Sequence, residues 1–223
     1  MTVIFSALIA ALIGIGGYFY TRRLFREKKV DYTRRQKIGF FVVTAVIFTA
    51  IGVLMPLFTD PEDRNVFAVL RTVSAVLATY YIGLIDLKLR IIPNKYLLVM
   101  LGWVAVLLGA EAIVDFSSFR GTIFLSLLGS VIFGLMFLFA NVLSRNGLGM
   151  GDVKFMFVAG LYLGMDDLLG GLIWSLLFSI IAGAVLMIMK KAKMKTKIPM
   201  GPFFFLGFFI SNVVYTISGV VGG

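Results

Sequence analysis

Long apolar runs set the pattern of this chain, and short polar clusters punctuate them. Runs of a length that suits a membrane-crossing helix, about twenty residues, fall near 2–20, 38–58, 66–85, 96–114, 121–143 and 168–189. Two further runs are less regular. One, 153–164, is short and ends at the polar break Met165-Asp166-Asp167; the other, 199–221, is rich in glycine. The pattern predicts an all-α, polytopic membrane protein, a bundle of about eight transmembrane helices with six as the lower bound. Spans that are apolar all round give little helical periodicity to read, and no internal repeat is visible. No polar stretch is long enough for a separate soluble domain, so residues 1–223 read as one integral membrane domain. The first run, Thr2 to Tyr20, has the length of a signal peptide. No basic residue precedes it and no small-residue cleavage pattern precedes Thr21, so it reads as a span.

Composition adds sidedness to this picture. The chain is 60% hydrophobic with 22 Phe, and its net charge of +10 would suit nucleic acid only if it formed one solvated face. Instead the charge is sorted by loop. TRRLFREKKVDYTRRQK carries eight basic residues and KKAKMKTK five, which places both in the cytoplasm, while the alternate loops TDPEDRN, DFSSFR and MDD are acidic or nearly neutral. Of 21 basic residues, 18 then lie inside, the exceptions being Arg64, Arg71 and Arg120, and both termini lie outside. The expected location is the cell membrane, with the basic loops touching anionic lipid and no nucleic-acid partner. Cysteine and histidine are absent. That removes disulfides, thiolate chemistry, zinc held by Cys or His, and histidine as a base, and leaves carboxylates, lysines, tyrosines and hydroxyls.

Two carboxylates stand out. Asp86 closes the third run in YYIGLIDLKLRIIPNKY, and Asp152 opens the sixth in GLGMGDVKF. Two runs separate them, so both belong at the same, cytoplasmic, membrane boundary. Two carboxylates that meet in a partly dry site cannot readily both ionise, so they can share a proton and act as base and acid together. One would deprotonate a water attacking a peptide carbonyl; the other would hydrogen-bond the carbonyl oxygen and protonate the leaving amine. Gly147, Gly149 and Gly151 would permit backbone angles and close approaches beside a helix start. Their spacing matches neither GxGxxG nor GxxxxGK[ST], which argues against a phosphate cradle. From spacing alone, an equally good account makes both aspartates interfacial charges, neutralised by Lys88 or Arg90 and by Lys154.

The motifs also resemble a known family, the type IV prepilin peptidases, membrane aspartyl proteases of the GxGD type. The resemblance rests on Gly149-Met150-Gly151-Asp152 followed by Val153-Lys154, on Asp86 seven residues before Pro93 in IIPN, and on IPMGPF from Ile198 to Phe203. It implies Asp86 and Asp152 as the catalytic pair. Gly149, Gly151, Lys154, Pro93, Asn94, Pro199, Gly201 and Pro202 would shape the site or meet substrate. The implied reaction removes the short basic leader of a prepilin or pseudopilin at the cytoplasmic face, with no cofactor and no metal. Bifunctional members carry a cytoplasmic insert with paired CxxC motifs and also methylate the new N-terminus. Here that loop is only Thr21 to Lys37 and holds no cysteine, which points to a peptidase-only member. Two readings of other classes remain open: a proton-coupled transporter, which would need ionisable groups near the midplane, and a noncatalytic scaffold for pilus or secretion assembly. Oligomeric state is not legible.

Other polar residues receive blander assignments. Arg71 lies about 22 Å along a helix from Asp86 and is expected to snorkel toward Asp60, Glu62 and Asp63. Asp166 and Asp167 read as a solvated turn, and Glu111 and Asp115 as interfacial. Asn141 reads as a helix–helix hydrogen bonder. Lys154, two residues from Asp152, should point to a different face of a helix, so a direct ion pair is not the default, and a lipid-phosphate or substrate-backbone contact fits equally well. The phenylalanines from Phe203 to Phe209 are expected to pack or face lipid.

Overall fold

The computed structural model describes residues 2–30, 44, 51, 65–144, 148–190 and 198–222, with side chains described between Ile4 and Val214. Six helices follow in order: α1 Thr2–Glu27, α2 Val66–Leu89, α3 Asn94–Val114, α4 Phe116–Leu143, α5 Met150–Ile188 and α6 Gly201–Gly222. The described residues contain no strand. The protein is an all-α membrane protein, as the apolar pattern predicts.

Five helices among the described residues are long and apolar enough to cross a membrane, and Gly201–Val214 adds a shorter apolar one. That is fewer than eight, for two reasons. The expected second span, 38–58, lies outside the described residues except for Thr44 and Ile51, both helical and buried. The expected spans 153–164 and 168–189 are the two legs of α5, which join at Gly164, with φ 70° and ψ −164°, and count as one helix. Such backbone angles are essentially open only to glycine.

The break folds α5 into two legs. A straight helix would hold Asp152 and Ser179 about 40 Å apart, yet both flank the start of α6. Ser179 Oγ contacts Met200 Sδ at 3.5 Å, and Asp152 lies within electrostatic range of Asp86, which accepts the Gly201 N–H. Phe155 of the first leg packs on Phe204 and Phe208 at ring-centroid separations of 5.3 and 6.2 Å. Gly171 of the second leg abuts the same Phe208. The first leg runs down α4 through small residues. A side chain on Gly160 would collide with the Ser130 backbone, and one on Gly129 would stand 2.6 Å from the Gly164 carbonyl. Such close backbone approach is how helices gain packing where lipid supplies no hydrophobic drive.

α2 is the centre of the bundle: 83% of its membrane window is buried, against 33% or less for the other spans. Its start is capped by Asn65, whose side chain accepts the Phe67 N–H at 3.0 Å. It ends at Arg90, in the left-handed region with φ 53°, whose N–H returns to the Asp86 carbonyl at 2.8 Å. Pro93 then serves as the N-cap residue of α3, and Asp115 caps α4 by accepting the Ser118 N–H at 3.1 Å.

Arg71 departs from expectation. It is buried, and its guanidinium donates to Glu111 at 2.5 Å rather than reaching for an outer loop; Asp60, Glu62 and Asp63 lie outside the described residues. Glu111, expected at the interface, is completely buried. It also accepts hydrogen bonds from Asn65, Ser118 and Thr122 at 2.9, 3.2 and 3.0 Å, tying α2, α3 and α4 together. Burial reverses the expectation because a charge with four donors no longer needs water. Asp166 is exposed, but Asp167 of the same expected turn is half-buried and within electrostatic range of Arg71. Asp115 is exposed, as an interfacial residue should be.

Candidate functional site

Asp86 occupies the last turn of α2 and is only 7% exposed. Glycines let α6 start directly against it. A side chain on Gly201 would stand 2.9 Å from Asp86 Cβ and 3.1 Å from Gly83 Cα, and one on Gly83 would stand 3.1 Å from Pro202 Cα. The Gly201 N–H, free of an intrahelical partner at this helix start, donates to Asp86 Oδ2 at 2.8 Å. IPMGPF is thus the seat of the Asp86 carboxylate, although 115 residues separate Asp86 from Gly201. Pro199 stands in the nonhelical segment leading into α6.

Asp152 lies in the first turn of α5, half-buried, with its N–H donating to the Gly149 carbonyl at 3.0 Å. The glycines before it act through space rather than through unusual backbone angles. Gly149, the N-cap, has an ordinary φ of −74°, and among the described glycines Gly164 is the one with positive φ. A side chain on Gly149 would approach Asp152 Oδ2 to 3.0 Å, and one on Gly151 would meet Ile92 Cβ at 3.0 Å. Gly151 therefore lets α5 begin against the IIPN turn. Gly147 lies outside the described residues.

Between the two aspartates, the IIPN turn supplies a polar edge. Lys154 Nζ donates to Asn94 Oδ1 at 3.1 Å on the exposed side of the site. Lys154 therefore reaches α3 rather than Asp152, as spacing on a helix predicts. The fold thus gathers Asp86, Asp152, Gly149, Gly151, Pro93, Asn94, Lys154, Gly201 and Pro202 at one end of the bundle, drawn from α2, α3, α5 and α6. The Arg71–Glu111 cluster lies at the other.

A model of the type IV leader peptidase family matches residues 73–188. The chain belongs to the type IV leader peptidase family. The matched stretch contains both aspartates and stops before α6, so the seat that Gly201 provides is known from the structure alone. Among curated proteins, a prepilin leader peptidase/N-methyltransferase of Stutzerimonas stutzeri is 25% identical over 122 residues. The aligned part covers 54% of this chain but 41% of that relative, so this type IV leader peptidase family member spans less than half the length of the relative it matches. No solved structure matches the chain.

Asn141, read from the sequence as a helix–helix hydrogen bonder, bonds a loop carbonyl instead. Asn141 of α4 is 2% exposed, and its side-chain N–H donates to the Leu148 carbonyl, at 2.7 Å, immediately before Gly149. The signal was a lone amide in an apolar run; the partner lay in a loop that a run count does not place.

Proposed function

We propose that the chain is an aspartyl endopeptidase that removes the short basic leader from type IV prepilins or prepilin-like proteins at the cytoplasmic face of the cell membrane. The observation that carries the reading is the convergence of Asp86 and Asp152. They come from two helices that are distant in sequence, lie within electrostatic range of one another, and both fall inside the stretch matched to the type IV leader peptidase family. The prepilin leader peptidase of Stutzerimonas stutzeri that the chain resembles supports the substrate class.

In this mechanism one carboxylate takes a proton from a water as its oxygen bonds to the scissile carbonyl carbon. The other, protonated, hydrogen-bonds the carbonyl oxygen as it gains charge. The C–N bond then breaks, the leaving nitrogen takes a proton from the pair, and the products are a leader carboxylate and a new amino terminus. The Gly201 N–H at Asp86 Oδ2 orients that carboxyl so that its other oxygen can face the water. The Lys154–Asn94 pair stands at the exposed edge, where a substrate backbone would enter. Cytoplasmic placement of this end follows from the basic loops.

The test is cleavage, in membranes, of a prepilin with a basic leader and a glycine before the cut, by wild type, Asp86→Asn and Asp152→Asn. Leader removal by wild type alone, with all three proteins equally abundant and folded, is the expected result. Substantial cleavage by either variant would sink the paired-carboxylate mechanism.

A further inference from the structure

We propose that Asn141 is a positioning residue for Asp152, an assignment that rests on the peptidase reading above. Asn141 sits in the last turn of α4, and among the described residues its amide's hydrogen bond leaves the helix. It reaches seven residues ahead to the Leu148 carbonyl at 2.7 Å. Ser144 joins the clamp, donating to the Asn141 carbonyl at 3.0 Å and facing the Leu148 N–H at 3.4 Å. The end of the loop is thereby folded back onto α4.

The next residue transmits this hold. Gly149 is the N-cap of α5, and its carbonyl receives the Asp152 N–H at 3.0 Å. Its α-carbon is close enough to the Asp152 carboxylate that a Cβ would stand 3.0 Å from Oδ2. Glycines at 147, 149 and 151 supply no side chains to anchor the segment. The Asn141 amide thus joins the Gly151–Ile92 contact and the packing of α5 on α4 in setting where α5 starts, while Asp86 is held by the Gly201 N–H. An error of about 1 Å in the separation of two reacting groups can lower a rate on the order of 100-fold. A buried amide in an apolar span is costly unless its hydrogen bonds are made, and the one made here leads to the carboxylate.

The test uses the full chain in liposomes as wild type, Asn141→Ala, which removes the amide, and Asn141→Leu, which removes it and keeps the volume in an apolar setting. Cleavage kinetics on a prepilin are read beside amide hydrogen exchange. The expected result is a kcat lowered on the order of 10- to 100-fold, with KM changed less than about twofold. Exchange should rise over residues 149–153 and stay unchanged in α2 around Asp86. A kcat near that of wild type in both variants would overturn the proposal, as would exchange that rises equally in every helix, the mark of a merely structural loss. If wild type itself cleaves no prepilin, the peptidase reading falls. Exchange at 149–153 then still decides whether Asn141 holds the loop.

Discussion

Among single residues, the carboxylates differ most in how their surroundings treat them. Glu111 is sealed from solvent with four donors around it, while Asp152 is half-buried beside glycines. The first arrangement is structural and the second leaves room for chemistry. Removing one partner of the Arg71–Glu111 pair strands a buried charge, so Arg71→Met or Glu111→Leu should each cost about 3–5 kcal/mol. The double substitution should cost clearly less than the sum of the two, because no charge is left unpaired. Denaturation of the purified protein in detergent checks both statements; additive losses would show that the pair is not coupled. Asp86, Asp152 and the glycines before Asp152 could be singled out from sequence because their chemistry is local. Arg71 could not, because its partner is 40 residues away and a run count does not reveal which faces of two spans meet.

At the scale of elements, α5 carries the site's geometry. Its first leg, Met150–Leu163, presents Asp152; the break at Gly164 returns the chain so that the second leg packs on α6. A Cβ added at buried Gly164 would make only ordinary contacts, the nearest being Leu125 Cβ at 3.7 Å, so its role is conformational. Gly164→Ala should therefore destabilise by about 1–3 kcal/mol through backbone strain. Gly102, with nothing within 4 Å of an added Cβ and within a regular helix, should tolerate or gain from alanine. Equal effects at the two positions, measured by thermal unfolding, would count against the strained turn. The polar break after 164 was visible in sequence as Met165-Asp166-Asp167, but whether it separated two helices or kinked one depended on packing against α4 and α6.

The whole molecule has unequal depth. At a rise of about 1.5 Å per residue the first leg of α5 is about 21 Å long, shorter than a hydrocarbon core of about 30 Å. Its far end brings Asp167 within electrostatic range of Arg71, about 22 Å along α2 from Asp86. Asp166, exposed beside Asp167, therefore sits at a depth where a full-thickness bilayer would place acyl chains, and the mismatch favours a thinner membrane around α5. The protein should unfold at a higher temperature in bilayers of 14-carbon lipids than in those of 22-carbon lipids. Equal or reversed order would overturn the mismatch.

The sequence by itself determined that this is an all-α membrane protein, that its described helices lie on apolar runs, and that two aspartates end and begin helices at a common boundary. Those features follow from apolar length and from the cost of placing polar groups in lipid, which act locally along the chain. Only the tertiary structure decided that α6 starts on Asp86 through Gly201, that Asn141 clasps the loop before Asp152, and that Arg71 answers Glu111. Each of these is a contact between segments whose spans are apolar all round, where the facing sides are chosen by the fit of small residues and hydrogen bonds across helices rather than by any period in the chain.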